Sequence, residues 1–241
     1  APAGSAGTVA VALTTPGGTS TLGSAYTYRA IPTITSVSPS TGAESGGQQV
    51  IITGTGFHGV TGASGVTFGG TNALSYTVDS ATQITAEAPP KGSMAATVNV
   101  AVTGTGGTGT RANAFTFIAG PTITSVTPAT GPITGGTSVT ITGTALTSAT
   151  EVTFGGVAGT ITANTATSIT VTTPANAAGA ATVAVATAYG STGKSAAFTY
   201  VEAPAIASVT PNSGPTGGGT SVTITGTNFT GATSVRFGST N

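Results

Sequence analysis

The chain has 241 residues with no cysteine and no tryptophan, one histidine, and five basic residues balancing five acidic ones. Charged residues make up only 4% of it, whereas threonine approaches roughly a quarter of all residues, so solubility rests on hydroxyls and backbone instead of charge. Zero net charge without a basic cluster excludes the electrostatic footprint of nucleic-acid binding and attraction to anionic membranes, and no disulfide can staple the fold.

Hydrophobic residues, 38% of the chain, fall in short alternating runs, which predicts folding and not disorder. No apolar run nears the roughly 20 residues of a membrane helix. The opening APAGSAG has neither a charged leader nor an initiator Met, so the chain reads as mature, processed, or a window on something longer. Near copies of one segment open at Pro32, Pro121 and Pro204, 89 and 83 residues apart, a period that signals an array of whole domains. Each unit is small and buries only about 60 to 65% of the surface its unfolded chain exposes.

Residues 1–31 read as the closing part of a unit. Thr8–Leu13 (TVAVAL) matches Thr97–Val102 (TVNVAV) and Thr182–Thr187 (TVAVAT), and Tyr26-Thr27-Tyr28 matches Phe115-Thr116-Phe117 and Phe198-Thr199-Tyr200. Every second residue is apolar, the period of a half-buried strand, which sends Val9, Val11 and Leu13 inward. The Gly, Ser and Thr rich stretch between the two strands reads as a hairpin loop.

A first complete unit, residues 32–120, gives strands at Thr33–Val37, Gln49–Thr53, Gly65–Phe68, Leu74–Val78, Gln83–Ala88, Ala96–Thr103 and Ala114–Ile118. Pro39 ends the first because it has no N–H to donate, and Gly46-Gly47 supplies the positive φ values of a tight turn. A second complete unit, residues 121–203, repeats the plan with Val139, Ile141, Val152, Phe154, Ile169, Val171, Val183, Val185, Phe198 and Tyr200 pointing inward. Its six-residue difference in length falls in loops, three residues of it between Phe57 and Val66. Residues 204–241 open a further copy and run past Val235-Arg236-Phe237-Gly238. Short strands with turn signals every 8 to 12 residues or so, and no helical period, predict an all-β sandwich architecture.

Pro128–Gly136, followed by Val139–Leu146 and Val152–Gly155, carries the pattern P-x-x-G-x-x-x-G-G, V-x-I-x-G-x-x-F, V-x-F-G, and Pro211–Gly219 with Val222–Phe229 and Val235–Gly238 carries it again. Through these residues the chain resembles the IPT/TIG family along its whole length, with Leu146 standing where the pattern has Phe. The resemblance implies tandem immunoglobulin-like β-sandwiches, two complete units flanked by partial ones. It also implies a choice of settings: tandem units in bacterial surface and secreted proteins, single units beside catalytic domains of carbohydrate-active enzymes, and others in transcription factors or receptor ectodomains. The missing basic surface sets aside the DNA-binding branch, and the missing cysteines sit poorly with a vertebrate receptor.

Reactive groups are too sparse to converge. His58 lies in the three-residue insertion and reads as a solvated loop histidine, since a single imidazole cannot build a metal site. Asp79 and Glu87 are the one candidate carboxylate pair, and both read as a solvated face. Gly104–Gly109 and Gly217–Gly219 lack the helix and the Lys-Ser/Thr of a phosphate loop and read as turns. Asn228-Phe229-Thr230 fits the N-glycosylation pattern but overlaps the Gly-x-x-Phe segment, so it reads as coincidence. Lys91 and Lys194 raise the isopeptide bond that some immunoglobulin-like surface units form, yet both fall in loop-like sequence, where such a bond does not form. Outward Thr140, Thr142, Thr170 and Thr172 pair across strands or carry O-glycans.

The expectation is a non-enzymatic structural protein of a bacterial exterior: a semi-rigid stalk, adhesin shaft or filament, located extracellularly or on the cell surface. No residue is assigned a catalytic, cofactor-binding or metal-binding role, and no cofactor is expected. Expected partners are other copies of the chain, neighbouring units of a longer array, or cell-surface glycans or proteins, with no nucleic acid and no membrane insertion. The alternative is a glycan-binding or spacer module of a secreted carbohydrate-active enzyme, to which the 5% aromatic content gives little help. The two partial units could complete one another between chains, but their 31 and 38 residues fall short of a full unit by a stretch like Ala73 to Glu87. A window on a longer array is the expectation.

Overall fold

A computed structural model describes residues 1–92 and 95–238; residues 93–94 and 239–241, the last of which close the fourth predicted segment, lie outside the described residues. Regular structure among the described residues is all β except for one 3-10 turn at Ala63–Gly65. The chain divides into two compact bodies, Ala1–Pro121 with Thr187–Ser191, and Thr122–Ala186 with Thr192–Asn241.

The first body opens on a hairpin, Gly7–Thr15 with Gly18–Tyr28. A four-stranded sheet follows in the order Thr33–Ser38, Gln49–Thr55, Gln83–Glu87, Ser75–Ser80. A five-stranded sheet runs Thr41–Ala43, Gly107–Ile118, Ala96–Gly104, Val66–Phe68, Thr71–Asn72. Alternation makes each sheet apolar on one face, and the two faces meet: Val50, Ile52 and Ile84 pack with Val66, Phe68, Val100 and Phe115 in one fully buried cluster. Phe68, Phe115 and Phe117 stack edge to face at 5.2 and 5.0 Å.

The second body repeats the plan with Thr122–Thr127, Ser138–Thr144, Ser168–Thr172, Thr160–Asn164 in one sheet. The facing sheet runs Thr130–Pro132, Gly190–Val201, Gly179–Thr187, Glu151–Phe154, Val157–Ala158. All ten residues predicted to point inward are at most 1% exposed. Leu146, in the place of the pattern's Phe, is also fully buried, so the contact survives the exchange. Ala205–Thr210 pairs with Thr223–Thr227 as a further two-stranded sheet.

Several expectations need correction. Val9, Val11 and Leu13 share a face but are 40, 51 and 69% exposed, because no second sheet covers that hairpin among the described residues. Alternation fixes which residues share a face, not whether anything lies over it. The match of Thr182–Thr187 to Thr97–Val102 is out by two residues: Val183 and Val185 face Phe154 and Val152 as Val100 and Val102 face Phe68 and Val66. An even slip leaves the buried face unchanged, which is why the predicted core held. The last strand of the first sandwich begins at Gly107 instead of Ala114, since a bulge with Asn113 at φ 51° carries pairing into glycine-rich sequence that read as a turn. Thr41–Ala43 and Thr130–Pro132, too short to show a period, pair parallel to the last strands.

Bulges recur on the outer strands. The register skips one residue at Thr35, Thr124 and Ala207 on first strands, and at Asp79 and Thr162 on the opposite edges. In a chain with so little charge, bulges replace charged residues in blunting sheet edges against pairing with another chain. The same bulges bring backbones close. A Cβ added to Gly54, Gly143 or Gly226 would stand 1.9, 1.8 or 2.0 Å from the carbonyl oxygen of Thr33, Thr122 or Ala205. The glycine of V-x-I-x-G is therefore a steric requirement of the bulged pair.

Candidate functional site

The sequence-predicted candidates do not converge. His58 is exposed, and only its backbone is engaged: its N–H donates to the Gly56 carbonyl at 2.7 Å and its carbonyl accepts from the Thr105 N–H at 3.0 Å. Asp79 and Glu87 lie toward opposite ends of one strand pair: Asp79 accepts from the Thr85 hydroxyl at 2.7 Å, Glu87 from the Ser75 hydroxyl at 3.0 Å. Among the described residues no three of the His, Asp and Glu side chains cluster as metal ligands would. Asn228 donates its Nδ2 to Glu202 Oε2 at 3.2 Å and to the Ala203 carbonyl at 3.3 Å, so the amide nitrogen that a glycan would need is already engaged. Glu44 accepts from the Gly120 N–H at 3.2 Å through Oε1, while its buried Oε2 has no hydrogen-bond partner.

Hydroxyls form rungs across strands. Thr33 meets Thr55 at 2.7 Å, Thr97 meets Thr116 at 2.9 Å, and Thr122 meets Thr144 at 2.7 Å. Thr140 stands opposite Thr170 in register, and the Thr142 hydroxyl bonds that of Ser125. These paired hydroxyls are thus occupied with one another. Tyr200, buried in the apolar core of the second sandwich, donates to the Pro174 carbonyl at 3.0 Å. Burial pushes its phenol above the ordinary value, an effect partly offset by the Thr173 hydroxyl.

One cation in each sandwich has a structural task that sequence reading missed. Thr35 and Thr124 are the residues at which the register of the first strands skips, and their carbonyls are reached by a cation from the last strand of the facing sheet. Arg111 donates to the Thr35 carbonyl at 2.5 Å, and Lys194 to that of Thr124 at 2.7 Å. Lys194 lies within Gly190–Val201, not in a loop as expected, and it is exposed. The signal was available, since both cations sit four residues before the first aromatic of the closing motif. Lys194→Met, which keeps the stem and removes the donor, should lower stability by about 1 kcal/mol, with Lys194→Arg close to wild type. Thermal melts of the three proteins check this, and equal midpoints would assign the carbonyl to water.

A profile of the IPT/TIG domain matches residues 32–117, 121–200 and 204–241. The chain belongs to the IPT/TIG domain family. Among solved structures, this IPT/TIG chain is similar to the plexin A4 full extracellular region, at 29% identity over 75% of this chain and 16% of that one, with a TM-score of 0.43. It is also similar to SGBP-B from a complex xyloglucan utilization locus in Bacteroides uniformis, at 21% identity over 70% and 49% with a TM-score of 0.33. The I9–I11 tandem from titin matches at 9% identity over 74% and 69%, with a TM-score of 0.35. The chain thus spans about a sixth of the plexin ectodomain it matches. No curated protein matches it. No helix among the described residues is long and apolar enough to cross a membrane.

Proposed function

We propose that this IPT/TIG chain is a structural, non-enzymatic component of an extracellular assembly, a semi-rigid stalk, adhesin shaft or filament built from units at residues 1–31, 32–120, 121–203 and 204–241. The observation that carries the reading is the length of the connections. Three residues separate Ile118 from Thr122 and three separate Val201 from Ala205, each stretch ending in a proline, Pro121 or Pro204. A fixed φ in so short a joint restricts the hinge, so successive units transmit reach instead of swinging freely. Consumption of polar side chains by rungs and carbonyl contacts supports the same reading, because little chemistry remains for a substrate.

Small-angle scattering of the chain beside a variant with a flexible Gly/Ser insertion between Gly120 and Pro121 tests it. A narrow, stiff distribution for the natural chain and a broad one for the variant is the expected result. Equal breadth would remove the stiff-shaft reading. A glycan-binding module is less well supported, because the exposed aromatics are Tyr26 and Phe237, both at strand positions whose counterparts are core.

A further inference from the structure

We propose that each short linker is latched by one side chain, residues 119–121 by Glu44 and residues 202–204 by Asn228, and that these latches, with the prolines, stiffen the joints. The inference rests on the stiff-shaft reading and names the side chains responsible for it.

Glu44 follows the short strand Thr41–Ala43, and its main chain is fixed on both sides. Its N–H donates to the Ile118 carbonyl at 2.9 Å, and its carbonyl accepts from the Lys91 N–H at 2.8 Å. Ile133 is its counterpart in the second sandwich and makes the same two bonds, to Val201 at 3.1 Å and from Asn176 at 2.9 Å. The backbone arrangement is therefore common to the repeat, and only the side chain differs. At Glu44 it turns onto the linker, where Oε1 accepts from the Gly120 N–H at 3.2 Å. Oε2 is buried with no hydrogen-bond partner. Taking that oxygen out of water costs free energy, which the contact of its twin with Gly120 helps to offset. The Tyr189 carbonyl also lies close to Gly120, 3.6 Å from where a Cβ would stand, and all of these residues belong to the first body. The linker is packed against its neighbours instead of crossing open solvent.

Ile133 has no polar atom with which to hold the second linker. There the contact comes from the other direction along the chain. Asn228 donates Nδ2 to the Glu202 carboxylate at 3.2 Å and to the Ala203 carbonyl at 3.3 Å, all within the second body. Its counterpart Ala145 has the same left-handed backbone, φ 53° against 60°, but no side-chain donor. Each latching position of the repeat is thus filled once by a polar residue and once by an apolar one, and each linker has one latch. Proline fixes a single φ per linker, so the torsions of residues 119–120 and 202–203 turn freely unless another contact holds them.

The cysteine-free sequence permits paired spin labels at one position of the repeat, filled by Ile51, Thr140 and Thr223, all exposed. Distance distributions from Ile51→Cys with Thr140→Cys read the first joint, and those from Thr140→Cys with Thr223→Cys read the second. Glu44→Ile and Asn228→Ala install the residues of the counterpart positions, so both should melt as the natural chain does. Glu44→Ile should broaden the first distribution about twofold and leave the second unchanged, and Asn228→Ala should do the reverse. Glu44→Gln keeps the acceptor and should stay narrow. Hydrogen exchange of the Gly120 amide should quicken about tenfold in Glu44→Ile, as loss of a bond to a charged group implies. Unchanged Gly120 exchange, or a distribution as narrow in either variant as in the natural chain, would overturn the latches and leave the stiff shaft standing. Broad distributions in the natural chain itself would overturn both readings.

Discussion

Gly143→Val will remove the cooperative unfolding transition of the sandwich at residues 122–201. The new Cβ would stand 1.8 Å from the Thr122 carbonyl oxygen and 2.8 Å from its carbon. Neither atom can move away alone, because Thr122 and Ile123 are paired with Thr144 and Gly143 on the near side of the bulge at Thr124. Opening that pair also displaces the Thr124 carbonyl from Lys194 and loosens the Thr122–Thr144 hydroxyl rung. The expected loss exceeds about 4 kcal/mol, in the range reserved for disrupted backbone and core geometry. Gly217→Ala is the matched control: nothing lies within 4 Å of its added Cβ, so its effect should stay within about 0.5 kcal/mol. Differential scanning calorimetry separates the outcomes, and a native-like transition in Gly143→Val would show that the bulge is not a steric requirement.

Phe198→Ala should destabilise the same sandwich by about 3 to 5 kcal/mol, the usual cost of truncating a buried aromatic. Phe198 is fully buried, stacks edge to face with Phe154 at 5.3 Å and with Tyr200 at 4.9 Å, and closes over Gly131. The β-branched cluster around it is held by strand pairing on both sheets, so the space left behind collapses poorly. Urea unfolding gives the difference directly. By contrast Tyr26→Ala, at the equivalent position of the hairpin, is 44% exposed in the natural chain and should change the melting of the monomer little.

Much of the fold was legible because each strand repeats a period of two. In Gln49–Thr55 the burial alternates without exception, and the ten inward positions of the second sandwich follow from the same count. The positive φ values of Gly46 and Gly47, 77° and 81°, follow from a glycine pair between strands. The motif glycine was recognisable as a pattern, but its cause, a carbonyl oxygen 1.8 to 2.0 Å from an added Cβ, is a contact between strands. Arg111 and Lys194 show the same limit. Their shared place four residues before an aromatic marks them as equivalent but does not say what they meet, since their carbonyl partners lie 76 and 70 residues away, at register skips.

Local order alone therefore determined the β class, the strands and their inner faces, because side-chain direction alternates along a strand whatever surrounds it. Sequence likewise determined the scarcity of reactive groups. Tertiary structure decided which inner faces are covered, where the register slips, which short Gly and Pro segments become strands, and which cations hold carbonyls. Those outcomes depend on contacts between segments distant in sequence, and a two-residue alternation carries no information about them.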